Sequence, residues 1–238
     1  MKKSVLVTGG TGAIGEAICR RFAAGGYFVG VHCRAKKEKA EKLAKELGGV
    51  ALCFDVSREE ETKAGIEEFC RAAGGISSLV NNAGIALPVK TFLDTTEEEF
   101  DRVFSVDVKG VYFAMKHAVP HMLERGGTVI NVSSMWGLCG GSCEALYSAA
   151  KAAVIGLTKA TAKEVSSCGV RVNCVAPGYI DTPMNGWMSS EERKSLEEEI
   201  PLGRAGQAEE IAEAVFFLAE SGGYITGETL NVSGGFVI

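Results

Sequence analysis

Tyr147 and Lys151 stand four residues apart in YSAAKAAVIGLTKATAKE, an alanine-rich stretch whose pattern predicts a helix. Residues at i and i+4 share one helical face, so the phenol and the ammonium can point into the same space. A free tyrosine titrates near pH ~10, too high for easy proton transfer at neutrality, and a close cation lowers that value by favouring the phenolate. The pair is a candidate acid/base unit. Ser134 follows an apolar run over 128–132, at the tip of a predicted strand, and can offer a hydroxyl to the same pocket. Taken alone, a Tyr and a Lys at this spacing are ordinary surface residues. The rest of the chain weighs against that reading.

An apolar strand over 4–8 runs into Gly9-Gly10-Thr11-Gly12-Ala13-Ile14-Gly15, followed by the helical EAICRRFAAGG. Glycines let the backbone approach a pyrophosphate, and the helix N-terminus supplies free N–H groups and positive dipole. The literal G-x-G-x-x-G at Gly10, Gly12 and Gly15 is weak by itself, where a merely tight turn explains it, and gains force from its strand–loop–helix context. The second predicted strand, 27–33, ends in Cys33-Arg34-Ala35-Lys36-Lys37. In dinucleotide folds an acid at this point binds the ribose 2′-hydroxyl, whereas a nearby Arg accepts a 2′-phosphate. No acid is present, which points toward NADP. The alternative is that Arg34, Lys36 and Lys37 begin the solvated face of KKEKAEKLAKEL, and the phosphate reading is kept for Arg34 alone.

Positioning these residues requires alternating elements. Further strands are predicted over 50–54 (closed by Asp55), 78–81, 129–132, 170–176 and 229–232, and helices over 58–73, 96–123 and 208–220. In the helix over 96–123, Val103, Val106, Gly110 and Phe113 suggest a buried face. A Pro/Gly loop from Pro177 to Pro183 opens a polar segment, expected to be mobile, that runs to Glu199. The pattern predicts an α/β fold of Rossmann type: a doubly wound, mostly parallel, seven-stranded sheet with helices on both faces. Every candidate motif falls at the C-terminal end of a strand, where ligands bind in such folds.

Of the 238 residues 46% are hydrophobic, enough for a sizeable core, and no linker divides the chain, so one domain over 1–238 is expected. A net charge of −5, from 25 basic and 30 acidic residues, gives no sign of a nucleic-acid face. The start MKKSVLVTGG has too short an apolar run for a secretory signal, and no run approaches membrane-spanning length, so a cytoplasmic protein is expected. The eight cysteines form no C-x-x-C pair and read as reduced, largely core residues, with no metal site expected. Cys139 and Cys143 differ in lying in the loop that leads to Tyr147.

TGGTGAIG (8–15), Asp55-Val56, NNAG (81–84), Ser134, Tyr147-x-x-x-Lys151 and Pro177-Gly178 with Thr182 together resemble the short-chain dehydrogenase/reductase family over essentially the whole chain. PLGRAGQAEEIAEAVFFLAE and YITGETLNVSGG resemble its 3-oxoacyl-[acyl-carrier-protein] reductases in particular. The resemblance implies that Tyr147 protonates a carbonyl oxygen, that Ser134 polarises the carbonyl, and that Lys151 holds the nicotinamide ribose and depresses the Tyr147 pKa. It implies adenine recognition by Asp55, an adenosine-side lining at Asn81, and a nicotinamide contact at Thr182. Gly9, Thr11, Gly12, Ile14, Gly15, Arg34, Val56, Ala83, Gly84, Pro177, Gly178 and Ile180 are the further expected cofactor residues, and Tyr179 and Glu144 the further expected substrate residues. A homotetramer is also implied, the helices near 96–123 and 147–165 meeting across one interface through Ala149, Ala152, Ala153 and Gly156. Those small residues equally suit packing on the protein's own sheet.

Four positions depart from the family pattern. Ala13 replaces a common Gly, Ser233 an acid near the C-terminus, and Cys33 the acid of NAD-specific relatives. Asp107, in SVDVKGVY, stands where the family has a catalytic Asn that anchors a water behind the lysine. A carboxylate accepts but cannot donate as the amide does, and can pair with Lys151 and blunt its action on Tyr147. The expected activity is NADPH-dependent reduction of a carbonyl, foremost a 3-oxoacyl thioester. The loop WGLCGGSCEALY also resembles that of reductases acting on the 5-aminopentanone modification of elongation factor P, for which Glu144 would meet the substrate's amine. A catalytically silent dinucleotide sensor is a third reading.

Overall fold

Short strands, the central ones buried on both faces, organise the chain, which is described here from a computed structural model covering residues 3–183, 186 and 188–238. They are β1 (Ser4–Val7), β2 (Phe28–Cys33), β3 (Val50–Cys53), β4 (Ser78–Asn81), β5 (Gly127–Val132), β6 (Val170–Pro177) and β7 (Thr229–Val232). Continuous runs such as SVLV in β1 suit a parallel sheet covered by helices on both sides. The order is β3-β2-β1-β4-β5-β6-β7, and all six pairings are parallel, where the sequence predicted mostly parallel ones. The strand order reverses between β1 and β4, and in such sheets ligands bind in the crevice beyond the strand ends at that point.

The helices are α1 (Ala13–Ala24), α2 (Lys37–Leu47), α3 (Glu59–Ala73), α4 (Glu97–Phe104), α5 (Gly110–Ala118), the short α6 (Trp136–Cys139), α7 (Ala145–Val165), α8 (Ser190–Glu199) and α9 (Ala208–Glu220). One core joins a sheet face to α1, α2 and α9 through Ile18, Phe22, Leu43 and Ile211. The opposite core uses α3, α5 and α7 through Ile66, Phe69, Met115 and Val154. Gly48 and Gly74, both left-handed, end α2 and α3.

Two elements differ from the sequence expectation. The predicted helix over 96–123 is broken by a π-helical turn, Ser105–Lys109, between α4 and α5. That turn changes the phase of the buried face: Val103, Asp107, Gly110, Val111 and Ala114 lie inside, whereas Val106 and Phe113 are only half-buried. The segment expected to be mobile up to Glu199 instead contains α8, because Ser189 and Glu192 form a reciprocal capping box. The part of that expectation falling on 184, 185 and 187 lies outside the described residues.

Candidate active site

Lys151 lies one turn beyond Tyr147 on α7, with its ammonium 5.4 Å from the Tyr147 ring centre. Ser134 follows β5, its hydroxyl accepts the Trp136 N–H at 3.2 Å, and it lies close enough to the Tyr147 phenol to lower the phenol's pKa. Ser133 donates to the Lys151 carbonyl at 2.8 Å, fastening the end of β5 to α7. Gly137 permits that approach, since a Cβ there would stand 2.7 Å from Ser133 Oγ. The three residues expected to act together are therefore held by a strand end and one helix.

Asp107 enters the same site from the π turn. It is fully buried, its Oδ2 is 3.0 Å from Lys151 Nζ, and its Oδ1 accepts the Ile85 N–H at 2.9 Å. Lys151, 5% exposed, also donates to the Val132 carbonyl at 3.3 Å. Burial disfavours the ammonium, but the negative charges of Asp107 and of Tyr147 when ionised outweigh it and hold the Lys151 pKa above the ordinary 10.5. Gly84 lies against this ion pair, where a Cβ would meet Asp107 Oδ2 at 2.8 Å and Lys151 Nζ at 3.0 Å.

Lys151 lowers the Tyr147 pKa as expected, but the net shift is upward because burial is the larger effect. Burial raises it; Lys151 lowers it, Asp107 raises it, Ser134 lowers it and Glu144 raises it, with a net rise. One ammonium, itself neutralised by Asp107, does not overcome burial plus two carboxylates. Glu144 precedes α7 and is partly buried, and burial raises its own pKa. It stands close enough for its charge to act on Tyr147.

The glycine loop and the end of β4 form the other half of the crevice. Gly9 has φ +66°, and a Cβ there would lie 2.9 Å from Ala83 Cα. Thr8 Oγ1 accepts the N–H groups of Asn82 and Ala83 at 3.0 Å each, and Asn82 Nδ2 donates to the Thr8 and Gly9 carbonyls. Gly12 caps α1 without a side-chain hydrogen bond to the first turn, which holds Ile14 and Gly15, and Gly12 itself is exposed. An uncapped helix start behind an exposed glycine fits the pyrophosphate of a nicotinamide dinucleotide.

Other expected residues take varied places. Arg34 is exposed just past β2. Asp55 accepts from the Ser57 N–H at 2.9 Å and its hydroxyl at 2.7 Å; burial alone would raise its pKa, but those bonds, with Arg34 and Arg58, lower it. Thr11 is buried and its carbonyl accepts from Lys39. Val56 is buried against Gly110, and the buried Asn81 side chain donates to Asn131 on the neighbouring strand. Pro177 ends β6, and Gly178 abuts Ser233, consistent with a packing role at that departure. Ile180 packs in the core and bridges to Gly206, Thr182 is half-buried, and Tyr179 joins a small cluster with Ile200 and Ala205.

Sequence reading missed His32 and Lys39. The buried His32 imidazole accepts the Gly9 N–H on Nδ1 at 3.0 Å and binds the Phe54 carbonyl through Nε2 at 2.9 Å. Burial lowers its pKa to about 4, so the neutral ring braces the glycine loop at physiological pH. Lys39 donates to the Thr11 carbonyl at 2.9 Å. A lone polar residue within the apolar FVGVHC was the available signal for His32; none marked Lys39 among its neighbouring lysines.

Residues 10–237 match the family model described as enoyl-(acyl carrier protein) reductase. The chain is 41% identical over 242 residues to the 3-oxoacyl-[acyl-carrier-protein] reductase FabG of Staphylococcus aureus strain N315, covering 99% of this chain and 98% of the relative. The chain belongs to the short-chain dehydrogenase/reductase family. The corresponding Thermotoga maritima protein is 37% identical over 243 residues (99% and 98% covered), and that of Chlamydia muridarum 38% over 242 (99% and 97%). A short-chain dehydrogenase/reductase is an oxidoreductase acting on a CH–OH/C=O pair with a nicotinamide dinucleotide, and the crevice geometry suits that chemistry. Among the described residues no group of three or more His, Cys, Asp or Glu could hold a metal, and no helix is long and apolar enough to cross a membrane.

Proposed function

We propose that the chain is an NADPH-dependent reductase that converts a 3-oxoacyl thioester on acyl carrier protein to its 3-hydroxyacyl form. The observation that carries this reading is the convergence of Ser134, Tyr147 and Lys151 in a chain similar to FabG proteins along its whole length. The exposed Arg34, with no acid at the end of β2, supports the 2′-phosphate form of the cofactor.

The bound nicotinamide would supply the hydride to the carbonyl carbon. Ser134 and Tyr147 both offer hydroxyls to the carbonyl oxygen, and Tyr147 gives up its proton there as negative charge builds. Its raised pKa keeps the phenol protonated at neutrality, the state that a donor needs. Lys151 stabilises the phenolate left behind, and Asp107 keeps that ammonium charged and in place. The test is NADPH consumption with an acetoacetyl thioester. The wild type should turn over, and Tyr147→Phe should lose about 10²–10⁴-fold in kcat while retaining NADPH affinity. Absence of turnover in the wild type on both this thioester and an amine-bearing ketone would favour the silent sensor.

The position of Glu144 favours a second reading, reduction of a ketone that carries an amine, such as the 5-aminopentanone group on elongation factor P. Its carboxylate near Tyr147 could pair with the amine, and an acyl thioester has no cation to offer it. Faster kcat/KM on an amine-bearing ketone than on the thioester would move this reading to the front.

A homotetramer is proposed with either substrate. Ala149, Ala152 and Gly156 lie on the outer face of α7, away from the sheet that Ala150 and Val154 meet, which supports close approach of a second chain.

A further inference from the structure

Cys33 and Cys53 are the last residues of β2 and β3, and they face each other in the parallel register. Neighbouring strands run ~4.7–4.9 Å apart, inside the Cα separation of about 4.4–6.8 Å that a disulfide spans. Paired residues point to the same side of a sheet, so both thiols lie over the α2 face, near enough for Cys53 to raise the Cys33 pKa. Cys33 is 2% exposed whereas Cys53 is open to solvent, and β3 is an edge strand with room to adjust. Cys53 Sγ also donates to the Arg34 carbonyl at 3.3 Å. The pair thus sits at the root of two segments: the one carrying Arg34 and the one carrying Asp55.

We propose that Cys33 and Cys53 are a thiol–disulfide site whose oxidation weakens binding of the adenosine end of the dinucleotide. The proposal rests on the cofactor reading given above. With a low-molecular-weight disulfide such as glutathione disulfide as oxidant, the exposed Cys53 thiolate attacks one sulfur and expels a glutathione thiolate. The Cys33 thiolate then attacks Cys53 Sγ and expels the second glutathione. Two protein thiols lose two protons and two electrons, and one glutathione disulfide becomes two glutathiones. Burial raises the Cys33 pKa to about 11, which suits Cys33 to the slower, resolving step, favoured by proximity. Closure withdraws Cys53 from the Arg34 carbonyl and ties the two segments together, so the Arg34 side chain no longer follows the 2′-phosphate freely. By linkage, bound NADPH must resist the oxidation to the same degree.

The test uses the full chain, reduced or treated with glutathione disulfide, with disulfides mapped by peptide mass spectrometry and NADPH affinity measured by direct titration. The expected result is a Cys33–Cys53 bridge, a loss of NADPH affinity on the order of tenfold reversed by dithiothreitol, and slower bridge formation in saturating NADPH. Cys53→Ser keeps a donor for the Arg34 carbonyl; it should bind NADPH as the reduced wild type does and lose nothing on oxidation. Glutathione left on Cys53 with no bridge, a bridge through Cys139 or Cys143 instead, unchanged affinity in the bridged protein, or an equal loss in Cys53→Ser would each overturn the proposal. Failure of the reduced protein to bind NADPH would overturn the cofactor reading instead, and bridge mapping reads the cysteine pairing independently of it.

Discussion

Asp107 does two jobs that a single substitution can separate. Asp107→Asn keeps an oxygen for the Ile85 N–H and nearly the same volume, but removes the charge beside Lys151. One of the two carboxylates raising the Tyr147 pKa is then gone, so the alkaline limb of kcat/KM should move to lower pH, with the neutral-pH rate kept or raised. An unmoved limb would show that Asp107 does not act on Tyr147. The substitution should also lower Tm at neutral pH, since an ammonium left unpaired in a buried site costs roughly 3–5 kcal/mol. Because the folded Lys151 pKa lies above 10.5, the stabilisation is full below that pH and fades as pH rises through the folded value. The Tm gap between wild type and Asp107→Asn should therefore narrow in strong alkali. Arg34→Ala belongs to the same scale: loss of a charge-assisted bond to a 2′-phosphate is worth about 1.5–3 kcal/mol. NADPH affinity should fall roughly ten- to hundredfold, and NADH affinity should stay unchanged. Equal losses for both cofactors in a titration would remove the 2′-phosphate reading.

At the scale of elements, the site depends on how closely the segment after β4 approaches the π turn. Gly84 is the contact point, and a methyl group there must push either the Asp107 carboxylate or the Lys151 ammonium aside. A displacement near 1 Å at a catalytic group can cost about 10²-fold. Gly84→Ala should therefore lower kcat by about that factor with a smaller effect on NADPH affinity, because the glycine loop after β1 is braced separately by Thr8, Asn82 and His32. Equal damage to both constants would mean that the two halves of the crevice move as one.

For the whole molecule, Phe100 on α4 and Tyr112 on α5 are exposed, as are Ala149, Ala152 and Gly156 on α7. Across the sheet, β7 is an uncovered edge with Leu230 exposed. Both surfaces expose apolar side chains that a partner copy would cover, as in a closed assembly. Light scattering at micromolar concentration should give four times the 25.1 kDa chain mass, and a monomer there would refute the tetramer.

All seven strands and the helices α1, α3, α7 and α9 were legible in the sequence, because the central parallel strands are continuous apolar runs and glycine-containing loops punctuate the elements. The spacing of Tyr147 and Lys151 and the strand-end place of Ser134 were equally local, since a helix period and a strand end are written in neighbouring residues. What sequence could not decide were the contacts made across the fold. A pairing of Asp107 with Lys151 was raised only through the family resemblance; that Asp107 is fully buried there, and that Gly84 touches both, depends on a π turn that no spacing rule exposes. The net direction of the Tyr147 pKa followed from summing burial with the charges of Lys151 on α7, Glu144 at its start and Asp107 on the π turn. The facing of Cys33 and Cys53 came from strand register, which links residues distant in the chain. Period and turn chemistry are local properties; desolvation and charge pairing exist only once the chain has folded.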